Sequence, residues 1–219
     1  MEHIRAFLRA FTPRRRAAYF IGTILLACGI TLNTRTNLGV APILSVAFNI
    51  SELLGIPFGL MSFFYYCFLI LVQLVLLRSR FDQIQWFQLV ASFLTSAFIA
   101  VFSAVIPAAA SVPLRIIYLP AAILLTGLGI ILSVGARFVP NPGDGTAYAI
   151  SICTGRSLGL SKNILDISSF LIALALGLVF RGRIMGVGIG TIVTMLLTGR
   201  VVALLQKPVL RLAGLNEEK

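Results

Sequence analysis

The chain has 219 residues, of which 58% are hydrophobic and only 11% charged; this excludes the surface of an ordinary soluble domain and marks an integral membrane protein. The net charge of +11 lies between apolar segments and at the ends rather than on a polar face, so it speaks for membrane topology and contact with anionic lipid, not for nucleic acid. Three cysteines without CxxC spacing (Cys28, Cys67, Cys153) and a single His3 exclude a disulfide framework and any recognisable metal site, and nothing calls for a cofactor.

Residues 1–16 form a basic segment. Ile4, Phe7, Leu8 and Phe11 stand at helical spacing beside Arg5 and Arg9, with Arg14 to Arg16 after Pro13, which predicts a short helix in the cytoplasmic headgroup layer. A signal peptide is the rival reading, but no A-x-A-like cleavage site follows.

Six stretches are long enough to span a bilayer core, which takes about 20 residues. They are Ala17–Asn33, Gly59–Leu77, Phe87–Ile106, Ile116–Val134, Ile164–Phe180 and Val187–Leu205. Two shorter and more polar stretches, Val40–Leu54 and Thr146–Leu158, lie between the first and second and between the fourth and fifth. The predicted fold is all-α: a polytopic membrane bundle of two internal repeats, residues 17–106 and 107–205, each with one short re-entrant or interrupted helix, followed by a cytoplasmic tail over 206–219. Matching Asn37 with Asn141, Gly39 with Gly143 and Leu54-Gly55 with Leu158-Gly159 sets the repeat at a spacing of 104.

Broken backbone at membrane depth is tolerated where protein buries it or where it lines a cavity, and Pro42, Pro140, Pro142, Gly143 and Gly145 supply such breaks. Paired short segments in two repeats point to a transporter-like site; short tilted helices packed inside the bundle are the plainer alternative. If both short segments are re-entrant, only Arg35, Arg115, Arg181 and Arg183 fall outside the cytoplasm, and the halves are inverted. If both cross, more basic residues move outside and the halves are parallel. The positive-inside rule favours the first arrangement mildly.

Ionisable groups within a membrane protein are candidate functional residues. Asp144, in PGDGT, reads either as a helix cap or as a cation or proton site. Asp166 follows Lys162 by four residues, which an ion pair along one helix face would explain, and Asn163 shares that face. Asn37, Asn141, Ser45, Asn49 and Thr154 complete a polar set able to hold a small polar ligand, and Arg137, like Arg35, could meet an anionic group or anchor at the membrane surface. The run GVGIGT, Gly186 to Thr191, lacks the flanks of a phosphate loop; Gly186 and Gly190 predict close helix packing instead. No nucleophile–base pair, HExxH or paired-carboxylate arrangement is present, so an enzyme is not expected.

The motifs LGVAP and ELLGIPFG in the first half, with PGDG, LGLSKNILD and VGIGT in the second, resemble the YczE and YitT type of bacterial integral membrane protein over about Ala17 to Leu205. Asp144, Lys162 and Asp166 match the acid, base and acid of that pattern, whereas Pro42 is followed by Ile43 and Leu44 instead of Trp-Asp. The resemblance implies a bacterial inner or plasma membrane location, permits transport and supplies no substrate; apart from it, the expected partners are the lipid bilayer, a small polar ligand and a homo-oligomer. The leading expectation is a small secondary transporter or permease with both termini cytoplasmic. The alternatives are a substrate-binding membrane subunit of an energy-coupled uptake system, and a scaffold or accessory protein without transport activity.

Overall fold

The computed structural model describes residues 12–215, so the predicted interfacial helix over Ile4–Phe11 lies outside the described residues. Among those described, the protein is all-helical. Helix α1 spans Pro13–Arg35; a 3-10 turn over Pro42–Leu44 leads into the short α2, Ser45–Leu54; α3 spans Phe58–Leu77, α4 Gln88–Val105 and α5 Val112–Gly135. The short α6 covers Pro142–Thr154, α7 Leu158–Arg181 and α8 Ile189–Leu212. Six helices are long and apolar enough to cross a membrane, and their outward faces carry Phe64, Phe68, Leu71, Phe93, Leu171 and Val179, which a lipid environment satisfies.

Local chemistry sets the ends. Thr12 caps α1, Asn141 caps α6 and Ser157 caps α7, each side chain accepting from a backbone N–H of the first turn. Pro142 occupies the first turn of α6, where its missing N–H costs nothing. Gly55 and Gly155 end α2 and α6 in the left-handed conformation, both at φ 67°. These caps correct three predicted boundaries. Helix α6 starts at Pro142 rather than Thr146, α7 starts at Leu158 rather than Ile164, and α8 runs through Pro208 to Leu212 where a tail was expected.

Helix ends recur at a spacing of 100. Arg35 and Gly135 end α1 and α5, Pro42 and Pro142 open the short segments, Gly55 and Gly155 close them, and Phe58 and Leu158 open the next helices. Asn37 and Arg137, 100 apart, are both non-glycine residues at positive φ, 57° and 52°. The spacing of 104 and its pairing of Asn37 with Asn141 are therefore not the register the helices follow. The four-residue error is about one helical turn, and it arose because Gly159, a residue inside α7, was matched with the cap glycine Gly55.

Helix directions follow from contacts. Helices α1 and α5 form the central pair and run antiparallel: a Cβ built on Gly22 would lie 2.7 Å from the Ser133 nitrogen, and one on Gly29 would lie 2.6 Å from the Thr126 nitrogen. Gly22, Gly29 and Gly129 thus let the two backbones touch, a small-residue seam. The expected seam at Gly186 and Gly190 is different in kind. Gly186 sits in the loop before α8, at φ 66°, against Asn49 and Phe48, while Gly190 abuts Leu38.

Helix α4 runs parallel to α1, as the Arg35 guanidinium donates to the Ser103 carbonyl near both C-terminal ends, while Tyr19 and Ala91 share a cluster at the other. Helix α3 is antiparallel to α4, with Gly59 at Ala100 and Gln73 at Gln88. One end of the bundle therefore holds Arg14, Leu77, Gly135, Thr154 and Leu158; the opposite end holds Arg35, Leu54, Phe58 and Arg181.

Candidate functional site

Each short helix packs along a helix of the other half. Helix α2 lies on α7: the Ser45 hydroxyl donates to the Ser169 carbonyl at 3.3 Å, and Arg181 donates to the Glu52 carbonyl at 3.3 Å. Ser169 is midway along α7, so α2 starts at the middle of the bundle and ends at the Arg35 end. Helix α6 lies on α3: the Thr146 hydroxyl contacts the Leu69 carbonyl at 3.3 Å and the Cys153 thiol the Leu76 carbonyl at 3.2 Å. It too starts near the middle, and it ends at the Arg14 end. The two N-terminal turns meet there, since a Cβ on Gly143 would come within 2.5 Å of Cδ1 of Ile43.

Where they meet, two acids and a lysine come together. Lys162 Nζ lies 3.6 Å from Asp144 Oδ1 and 3.4 Å from Asp166 Oδ1, so one ammonium is shared by two carboxylates. Asp166 is the enclosed member, its side chain 11% exposed, whereas Asp144 and Lys162 are 32% and 37% exposed. The first turn of α6 places Asp144 at the positive end of that helix. Tyr66, buried, stands beside the side chain of Asn141, and Tyr65 beside that of Ser169, so α3 reaches both short-helix starts.

The predicted polar set divides. Asp144, Asp166 and Asn141 come together, and Ser45 stands at the adjoining start of α2, its hydroxyl also donating to the Pro42 carbonyl at 2.5 Å. Asn49 is buried and structural; its amide donates to Ser45 and Met185 carbonyls at 3.0 and 2.9 Å and so fastens the loop before α8. Asn37 and Arg137 are exposed at turns at opposite ends of the bundle, because positive φ is what those positions require. Thr154 is exposed at the far end of α6, bonding back to the Ile150 carbonyl at 2.8 Å, and Asn163 faces outward from α7. None of these last four reaches the carboxylates.

Two residues that the sequence reading passed over hold α6 in place. Gln73 of α3 and Gln88 of α4 are fully buried, and each amide donates to the other, at 3.1 and 3.0 Å. Gln73 also donates to the Pro142 carbonyl at 3.1 Å, and Gly145 packs on both amide oxygens. A glutamine within an otherwise apolar helix was the available signal. Among the described residues no group of His, Cys, Asp and Glu could hold a metal ion.

Six helices long and apolar enough to cross a membrane, two half-length helices and a partly enclosed charged cluster define a multi-pass integral membrane protein with a polar centre. The chain belongs to a family of unknown function, DUF6198, whose pattern matches residues 13–207. It is 24% identical over 184 residues to the uncharacterized protein YyaS of Bacillus subtilis (strain 168), a match covering 83% of this chain and 87% of that one. No solved structure matches.

Proposed function

We propose that the protein is a small secondary transporter of two inverted repeats, with its site where the two short helices meet at Asp144, Lys162 and Asp166. The observation that carries this reading is the antiparallel run of α1 and α5, the helices that open the two halves. Equivalent helices pointing opposite ways require an odd number of crossings per half, which three full spans and a re-entrant short helix supply. Half-helices whose N-termini converge at the middle of the bundle are the arrangement in which broken backbone lines a substrate path. Alternating access then comes from one repeat rocking against the other around a fixed centre.

Orientation follows from charge. Arg14, Arg15, Arg16, Arg78, Arg80, Arg137, Arg156, Lys207 and Arg211 gather toward the Arg14 end, against Arg35, Arg115, Arg181 and Arg183 at the other, which supports a cytoplasmic Arg14 end in a bacterial cell. The likeness to the YczE and YitT type supports the same location, and it is carried by the same three residues, Asp144, Lys162 and Asp166.

A single cysteine at Ile43, in a chain with Cys28, Cys67 and Cys153 replaced, tests the reading without knowledge of the substrate. In right-side-out and inverted vesicles a small impermeant thiol reagent is expected to reach it from both sides. Access from one side alone, under all conditions, would turn the reading toward a binding subunit or scaffold.

A further inference from the structure

At the end of the bundle opposite Arg14, a crevice of about 520 Å³ opens between the last turn of α1, the C-terminal half of α2, the start of α3 and the end of α4. Its walls carry one cation and one anion, Arg35 and Glu52, which form no ion pair with each other. Arg35 is only partly engaged: one terminal nitrogen donates to the Ser103 carbonyl, while its Nε is buried without a hydrogen-bond partner. An unpaired buried donor of a charged group is costly unless something accepts from it. Glu52 also lines the crevice, held through its backbone carbonyl by Arg181, its carboxylate free of any ion pair among the described residues. Phe48 and Phe58, which also line it, meet edge to face with centroids 5.7 Å apart and form an apolar wall.

Neither charge is required to end its helix. At the 100-residue spacing of the helix ends, Arg35 corresponds to Gly135 and Glu52 to Ile152, and α5 and α6 end normally with neither. We propose that this crevice binds an apolar α-amino acid as its zwitterion, the carboxylate on Arg35, the ammonium on Glu52 and the side chain against Phe48 and Phe58. A planar guanidinium suits a carboxylate, and a ligand carrying both charges satisfies both walls at once where a singly charged one leaves the other unmet. The crevice is distinct from the Asp144 centre and binds its ligand whether or not that centre transports.

The test is thermal unfolding of the purified full-length protein with leucine or phenylalanine, beside 4-methylpentanoate and 3-methylbutylamine, which each keep one charge of leucine. A ligand that binds only the folded state raises Tm, and at saturation leucine or phenylalanine is expected to raise it by about 3 °C or more, with the singly charged analogues giving less than half of that. Glu52→Gln, at an exposed position outside the packing, is expected to weaken binding at least about tenfold, as is Arg35→Gln, whereas Asn163→Ala, on the outward face of α7, keeps it. The proposal is overturned if neither amino acid shifts Tm, if 4-methylpentanoate matches leucine, or if Glu52→Gln binds as the parent does. Loss of binding in Asp144→Asn with retention in Glu52→Gln would move the ligand to the central site and overturn it equally.

Discussion

The side-chain amides of Gln73 and Gln88 donate to one another in both directions, at 3.1 and 3.0 Å, and through Gln73 they hold the carbonyl of Pro142 at the start of α6. Two fully buried amides in an apolar bundle have no water to fall back on, so their mutual pairing is a condition of folding and not an ornament of it.

Gln73→Leu is therefore expected to cost about 1–3 kcal/mol, because it leaves the buried Gln88 amide without its partner, while the Pro142 carbonyl keeps the Thr146 hydroxyl at 2.7 Å. The double variant Gln73→Leu, Gln88→Leu removes both members of the pair, and its cost is expected to fall below the sum of the two singles. A double-mutant cycle on equilibrium unfolding in mixed micelles measures this coupling. Additive costs would mean that each amide is held by something other than its partner.

The α1–α5 seam makes a second expectation. A Cβ at Gly129 would lie 2.5 Å from the Leu26 nitrogen and 2.7 Å from the Gly22 carbonyl oxygen, and backbone cannot step aside as a flexible side chain can. Gly129→Val should cost about 3 kcal/mol or more, at the upper end of overpacking effects. By contrast Gly199, inside α8 with nothing within 4 Å of its Cβ position, should gain roughly 0.5–1 kcal/mol on replacement by alanine, from helix propensity. Thermal unfolding of the two variants should move in opposite directions.

Much of the architecture was legible because long apolar runs declare themselves whatever their partners. The six spans and two short helices were found, and so were the prolines and glycines that break them. Register was not legible: Leu-Gly occurs at both Leu54-Gly55 and Leu158-Gly159, and only the backbone reveals that Gly155 is the left-handed cap and Gly159 an ordinary helical residue. In the site, Asp144 and Asp166 stood out because charge is rare in this sequence, and their meeting through Lys162 follows from an i, i+4 step plus a fold-level contact to α6. Asn37, Arg137 and Asn163 looked equivalent to them on paper. Nothing in a residue's identity tells a turn former at positive φ, or an outward-facing amide, from a ligand. Gln73 and Gln88 lie in or beside long apolar runs, away from the prolines and glycines that mark the short segments, and only their burial shows how demanding their amides are.

Topology gives a third expectation. If the short helices are re-entrant, Leu54 and Arg156, at their far ends, lie on opposite sides of the membrane. Both are exposed and neither side chain anchors a described contact, so cysteines there should leave the fold intact. In a background lacking the three native cysteines, Leu54→Cys should label with an impermeant reagent from outside intact cells and Arg156→Cys only after permeabilisation. The reverse pattern, or labelling of both from one side, would sink the inverted arrangement.

The last expectation concerns the charges at the centre. Lys162 is held by two carboxylates, so removing either one leaves the ammonium a partner, and removing both leaves it none. Asp144→Asn should cost little stability, about 1 kcal/mol or less, since that carboxylate is 32% exposed and screened by its surroundings. Asp166→Asn should cost more, because the 11% exposed side chain sits closer to the lysine in an environment that screens less. The double variant should be destabilised by more than the sum of the singles, as the lysine then has no counter-charge within a helix that crosses the membrane. Functional loss should rank the other way: Asp144, at the meeting point of the short helices and open to a ligand, should be the more damaging single substitution for ligand binding or flux in reconstituted vesicles. Equal stability of all three variants would show that the lysine does not depend on these acids. Undiminished binding and flux in Asp144→Asn would reduce that carboxylate to the cap of α6 and move the site elsewhere.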